Sequence, residues 1–117
     1  MRHLKKKVTL GRKTGPRKAL LKSLCTSLIK EGAIKTTGAK AKAVQEMIEP
    51  LITMGRTDSI HTLRLLEKAL GNKYTAKQLM KEVSPRYMER KGGYTSIVKL
   101  GKRSGDGAEV VQLRLMD

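Results

Sequence analysis

Through most of the chain apolar residues recur at three- and four-residue steps, and near its end they switch to every second position. The first period predicts helices and the second a strand with one covered face. A first helix is signalled at Pro16, which suits the first helical position with Gly15 or Thr14 before it. Its stripe is Leu20 or Leu21, Leu24, Leu28 and Ile29, and Gly32 falls just past its C-terminus. Ala33 to Thr37 is short and partly β-branched and reads as a strand. Thr36 or Thr37 then caps a second helix running to about Gly55, striped by Ala41, Val44, Ile48, Leu51 and Ile52. Pro50 inside it is expected to kink or split it. A third helix is predicted after Thr57–Asp58, burying Ile60, Leu63, Leu66 and Leu70 and stopping at Gly71. A fourth follows Thr75, which with Gln78 makes a capping-box pattern, packs Leu79, Met80 and Val83, and ends before Pro85.

After Gly92–Gly93 the period changes. Tyr94 to Leu100 reads as a strand, followed by a Gly- and Ser-rich turn carrying Lys102, Arg103 and Asp106. Glu109 to Leu115 is its hairpin partner. There Val111, Leu113 and Leu115 alternate with Gln112, Arg114 and Met116, so one face should meet the core and the other solvent. No internal repeat is visible. The sum is an α+β chain of about four helices covering one face of a small sheet, organised as a single globular domain over residues 16–117.

Residues 1–15 do not fit that domain. Arg2, Lys5, Lys6, Lys7, Arg12 and Lys13 stand there without an acid, and only Leu4, Val8 and Leu10 could pack. Such a segment buries too little to offset its ordering entropy and is expected to be a basic extended arm, mobile by itself. Its reach of roughly 50 Å would let it thread a groove in a large polyanion.

Charge extends this picture. The 117 residues carry 26 Lys and Arg against 10 acids, a formal +16. Residues 1–42 hold 13 of those cations and one acid, Glu31, whereas residues 43–117 hold 13 cations and nine acids. Self-repulsion of this size opposes compaction unless a polyanion relieves it, so a nucleic acid is the default partner. Arg17, Lys18 and Lys22 lie near the positive end of the first helix, where cations are locally unfavourable and phosphates would be welcome.

Little else in the sequence bears chemistry. Cys25 sits beside the first stripe and reads as a small buried hydrophobe; a single cysteine forms no internal disulfide. His3, His61 and that cysteine lack metal-ligand spacing. Gly101, Gly105 and Gly107 form no phosphate-loop signature and suit a hairpin turn, with Lys102 and Arg103 as a phosphate clamp at its tip. Glu46 and Glu49 read as a solvated helix face and not as an acid/base pair. No enzyme, cofactor, metal or small-molecule substrate is expected. No apolar run approaches the roughly 20 residues that cross a bilayer, and no secretory leader is recognisable, so a cytoplasmic protein is expected. A cationic membrane-surface role is disfavoured because the basic residues of the first helix bunch at one end. With no Trp or Phe and only Tyr74, Tyr87 and Tyr94, a base-stacking platform is excluded. Recognition should rest on phosphates, sugars and RNA shape.

Several short words, in order, add a resemblance. Met1-Arg2-His3, Ile34-Lys35-Thr36-Thr37, Lys40-Ala41-Lys42 and Glu49-Pro50-Leu51-Ile52-Thr53 are followed by Pro85-Arg86-Tyr87, Arg90, Gly92-Gly93-Tyr94-Thr95 and Gly105-Asp106-Gly107-Ala108. Together they resemble the bacterial large-subunit ribosomal protein seventeen family over almost the whole chain. Two positions depart from its pattern: Ser96 stands where the family often has Arg, and Pro16 precedes Arg17 where it often has His. The resemblance implies several helices with a small three-stranded mixed sheet. It also implies large-subunit ribosomal RNA and neighbouring large-subunit ribosomal proteins as partners, in the ribosome near the nascent-chain tunnel exit.

The expected function is therefore that of a non-catalytic structural constituent of the large ribosomal subunit. Its RNA contacts are expected from Arg2, His3, Lys5, Lys6, Lys7, Arg12, Lys13, Arg17, Lys18 and Lys22, extended by Lys35, Lys40 and Lys42. A second patch is expected from Arg86, Arg90, Lys91, Tyr94, Lys102 and Arg103, with Gly92 and Gly93 allowing a turn or a close backbone approach. The alternatives are a nucleoid-type DNA-binding protein, for which duplex DNA would compete equally well, and an RNA-acting enzyme, which would need a clustered acid/base set.

Overall fold

A computed structural model of the protein describes residues 14–116. The expected arm therefore lies, but for its last two residues, outside the described residues. Helix α1 spans Thr14–Glu31, so the helix starts two residues before Pro16. Gly32 follows with positive φ and its N–H on the Leu28 carbonyl, as expected of a residue past the helix end. Strand β1 is Ala33–Thr37. Helix α2 is Gly38–Met54, with Thr37 at its N-cap in extended conformation but making no side-chain cap bond. It continues through Pro50 without splitting. Pro50 faces solvent, while Leu51 and Ile52 bury on the other side and hold the last turn to the core.

Helix α3, Ile60–Leu70, is capped by Ser59, whose hydroxyl accepts from Thr62 N at 3.1 Å. Leu66 and Leu70 are buried and Leu63 packs against them, but Ile60 is 69% exposed. It sits in the first helical turn, which overhangs the core. Helix α4 is Lys73–Gln78, and its cap is Asn72, not Thr75. Asn72 Oδ1 accepts from Tyr74 N and Thr75 N, whereas Thr75 is turned into the core with an unpartnered hydroxyl. A π-helical turn, Leu79–Val83, and a 3-10 turn, Ser84–Tyr87, carry the chain past Pro85. The 3-10 turn packs on the end of α2 through Ser84, whose hydroxyl donates to Ile52 O at 2.9 Å. The contact requires Gly55: a Cβ there would stand 2.4 Å from Ser84 Oγ.

Strands β2, Thr95–Lys102, and β3, Glu109–Leu115, complete a sheet of order β1-β3-β2. The expectation of a mixed sheet is corrected here. Both edge strands pair antiparallel to β3, with Ile34 and Ile97 opposite Leu113. The chain leaves β1, passes through the helices and returns in β2, so the hairpin places β3 between two edge strands that run in the same direction and do not pair with each other. Val111, Leu113 and Leu115 are buried as the alternation predicts, on the face covered by α1 and α2. One core joins Cys25, Leu28, Val44, Ile48, Ile52, Leu66, Leu79 and these strand residues. Truncating a fully buried leucine such as Leu113 to Ala would cost about 3 kcal/mol.

Candidate nucleic-acid interface

Arg103–Asp106 is the only ion pair among the described residues. The other described cations, more numerous than the described acids, have no ion-pair partner among the described residues. Such a surface is suited to a polyanion.

Apart from Lys77 and Lys81, which line depressions beside α4, three groups of cations bear on the expected contacts. On the helical side Lys18 and Lys22 of α1 and Lys68 of α3 rim a concavity whose floor is Leu21, Met47, Leu65 and Ala69. Lys22 also reaches the C-terminal end of α3 beside Gly71, where a positive charge meets the helix's negative end favourably. Arg64 and Lys68 border a neighbouring shallow depression with Glu67 and Gly71. Sequence reasoning missed Arg64 and Lys68, although their spacing of four on α3 places them on one helix face. Lys35 on β1 and Lys42 on α2 are exposed, and Lys40 is half-buried.

The second place is the loop from Arg86 to Lys91, where Arg86, Arg90 and Lys91 are exposed. Its shape comes from a polar network that sequence reasoning did not find. The Glu49 carboxylate accepts four hydrogen bonds across the loop: Gly93 N at 3.1 Å and Tyr94 N at 3.3 Å on Oε1, Thr95 N at 3.0 Å and the Thr95 hydroxyl at 2.6 Å on Oε2. Gln45 donates to the same hydroxyl at 3.0 Å. Arg56 closes the other side, its Nη1 donating to the carbonyls of Tyr87, Met88 and Arg90 at 3.0, 3.3 and 2.7 Å. Its guanidinium lies 5.9 Å from the Tyr94 ring centroid, within cation–π range. Tyr94 donates to Arg90 O at 3.2 Å, stands 2.8 Å from Thr53 Oγ, and packs its ring 5.1 Å from that of Tyr87. Tyr87 in turn donates to Met116 O, tying the loop to the chain's end. Gly93 provides a turn at φ 67, with nothing near its missing Cβ, so its role is the turn and not a close approach.

Two of the expected contact residues are buried in this fold, Tyr94 at 1% exposed and Arg17 at 9%. Tyr94 is held inside by its packing on the Tyr87 ring and by its hydroxyl's contacts with Thr53 and Arg90 O, whereas Tyr74 stays exposed. Glu49 is likewise no solvated face residue but the acceptor that organises the loop. Arg2, His3, Lys5, Lys6, Lys7, Arg12 and Lys13 lie outside the described residues.

The third place is the β2–β3 hairpin tip, where Lys99, Lys102 and Arg103 are all exposed. Arg103 forks onto Asp106, Nε at 3.2 Å from Oδ1 and Nη2 at 2.5 Å from Oδ2. That guanidinium, with the Ala108 N–H, holds the Asp106 carboxyl at about 2, below its usual 3.8.

The remaining chemical candidate is Cys25, fully buried, whose thiol is pushed up to about 12 by burial. It is a packing residue. Among the described residues no group of His, Cys, Asp or Glu could hold a metal ion, and no helix is long and apolar enough to cross a membrane.

Comparison with known proteins settles the family. The family model described as ribosomal protein L17 matches residues 20–116. The chain belongs to the ribosomal protein L17 family. It is similar to the large ribosomal subunit protein bL17 of Gemmatimonas aurantiaca, 46% identical over 116 residues that cover 99% of this chain and 98% of that one. The bL17 proteins of Bdellovibrio bacteriovorus and Flavobacterium johnsoniae are 45% and 44% identical, over 98% and 100% of this chain. The chain spans 64% and 72% of the length of those two relatives. Family members are structural proteins and not enzymes, and two of the words that carried the resemblance now have a shared physical role. Glu49-Pro50 and Gly92-Gly93-Tyr94-Thr95 belong together because the first word's carboxylate binds the second word's backbone.

Proposed function

We propose that this chain is a structural component of the bacterial large ribosomal subunit that binds and stabilises large-subunit ribosomal RNA in the cytoplasm. The observation that carries this reading is the excess of exposed cations on a ribosomal-family fold, with one ion pair among the described residues. The contacts are phosphates taken by Lys18, Lys22 and Lys68 on the helical side, by Arg86, Arg90 and Lys91 on the loop, and by the hairpin tip. Lys35, Lys40 and Lys42 extend the surface. Arg2, His3, Lys5, Lys6, Lys7, Arg12 and Lys13, outside the described residues, supply further phosphate contacts in this reading. The resemblance supports a position near the nascent-chain tunnel exit, beside other large-subunit proteins.

Sedimentation of a lysate on a density gradient tests the assignment. Stoichiometric migration with large subunits through a moderate-salt wash is the expected result; protein left at the top, or travelling with DNA, overturns it. Deleting residues 1–13 should weaken binding to ribosomal RNA and flatten its salt dependence, because each lost phosphate contact lowers the log–log slope by about 0.7–0.9. An unchanged slope removes the arm from the interface.

A further inference from the structure

The outer half of the β2–β3 hairpin has a specified shape that the core does not provide. Every residue from Val98 to Gly107 is exposed, and segments with so little packing are ordinarily loose. Here the order comes from within. Arg103 N–H donates to Ala108 O at 2.7 Å and Gly107 N–H to Arg103 O at 3.0 Å. Ala108 N–H donates to Asp106 Oδ1 at 3.1 Å, and the Arg103 fork closes the loop from the other side. Gly105 and Gly107 adopt φ of 100° and 71°, conformations that side-chain-bearing residues rarely take. A loop tied this closely without touching the core is shaped for something outside the chain.

Its chemistry points to RNA. Lys99 and Lys102 flank a bulge between Lys99 and Gly101, exposed and without an ion-pair partner among the described residues. Glu109 lies opposite Lys102 in register but forms no ion pair with it. Ser104, Gly105 and Gly107 leave the tip backbone bare, so a sugar–phosphate strand can approach closely. The exposed aliphatics, Val98 at 37% and Leu100 at 49%, are too few for the core of a stable protein–protein interface, which needs roughly 800 Å² per partner. Asp106 is the one acid of the tip. It engages Arg103, so one cation of the tip is already neutralised.

We infer that the hairpin tip is a pre-formed RNA-docking finger in which Lys99 and Lys102 take phosphates, while Arg103 and Asp106 are positioning residues that hold the tip in its docking shape. This rests on the RNA-binding reading above and revises the expectation of a Lys102–Arg103 phosphate clamp. It has a consequence opposite in sign to simple electrostatics. Removing an acid from a polyanion-binding surface should tighten binding; removing Asp106 should weaken it, because the ordering cost then falls on the binding step.

The test uses the full chain and deproteinised large-subunit ribosomal RNA, titrated over a range of salt. Asp106→Ala should bind about tenfold more weakly than wild type. Asp106→Asn should recover part of the loss, since its Oδ1 still accepts from Ala108 N–H. Arg103→Ala should match Asp106→Ala, and the double variant should be no weaker than either single one. Lys102→Ala should weaken binding and lower the salt slope by about 1. The inference is overturned if Asp106→Ala binds as tightly as wild type or tighter, or if Lys102→Ala leaves affinity and slope unchanged. Wild-type protein that fails to bind this RNA at all sinks the RNA-binding reading itself, a separate outcome. A photoreactive group at Ser104 in assembled large subunits should cross-link to RNA; exclusive cross-linking to protein overturns the choice of partner.

Discussion

Two carboxylates in this protein, Glu49 and Asp106, each organise a turn, and they do so in contrasting surroundings. Glu49 projects from the C-terminal part of a long helix, is half-buried, and gathers three backbone N–H groups and a hydroxyl from residues more than forty positions away. Asp106 is exposed and binds partners two and three positions away, the Ala108 N–H and the Arg103 guanidinium. The first closes a long loop and fastens the sheet to α2, so its bonds belong to the global fold. The second shapes a tip whose order can be lost without opening the core. Acids are scarce in a chain of net charge +16, and these two serve shape at a long and a short range.

Glu49→Ala should have the largest effect on stability, because four donors lose their acceptor and three are backbone groups that cannot move away. We expect a loss of about 3 kcal/mol in chemical denaturation, about one for each backbone donor left without its acceptor. Glu49→Gln keeps the volume but turns an amide NH₂ towards donors, and should recover less than half of that. A loss under about 1 kcal/mol for Glu49→Ala would place Glu49 with Asp106 as a local organiser and dissolve the contrast.

Arg56→Ala comes next, at about 2 kcal/mol, since it leaves the carbonyls of Tyr87, Met88 and Arg90 without this donor and removes the cation over Tyr94. Cys25 supplies a readout for both. With the thiol buried and its pKa pushed up to about 12, a water-soluble thiol reagent reaches it only through opening of the core. Labelling at neutral pH should be slow in wild type and accelerated in Glu49→Ala and Arg56→Ala. Fast labelling of the wild-type protein would mean that Cys25 is accessible and would disqualify the readout.

The same contrast explains what could be read from the sequence. β1 and β3 were legible to the residue because β-branched composition and strict alternation are local signals. The helices were legible as elements, and so were the ends at Gly32, Thr37, Gly55 and Gly71. The start of α1, the cap of α4 and the burial of the first α3 turn were not. Periodicity places Ile60 in line with Leu63 and Leu66 without saying that the first turn of α3 overhangs the core. Asn72 and Thr75 are both good cap residues three positions apart, and the choice between them is made by burial of Thr75. The Glu49 network was hidden because no local rule joins a helical carboxylate to a glycine-rich word forty-four residues later. The burial of Tyr94 was hidden for a related reason, because its partners Thr53 and Tyr87 lie in other elements. Tyr74, exposed at 81%, shows that residue type alone does not decide it. The exposed lysines were legible as a class, since charge is a property of composition, whereas the sharing of one concavity by Lys18, Lys22 and Lys68 depends on helix packing.

The smallest effect on stability belongs to Asp106, and there the contrast can be made sharpest. Its carboxyl is held at about 2 against an ordinary 3.8, first by the hydrogen bond from Arg103 and then by that from Ala108 N–H. A carboxylate whose pKa is lowered in the folded state contributes order that is fully present above about 3.8 and is lost as pH falls through about 2. The amide signals of Gly105, Gly107 and Ala108 should therefore hold steady from neutral pH down to about 4 and shift below it. Asp106→Ala should show the shifted positions already at neutral pH. Because the pair is exposed, molar salt should loosen it as well, the screening length there being about 3 Å. Throughout, the unfolding midpoint and the rate of Cys25 labelling in Asp106→Ala at neutral pH should match those of wild type. If instead the variant lowers the midpoint as Glu49→Ala does, the tip is part of the cooperative fold. Its order would then be a consequence of the core, and not a shape maintained for RNA.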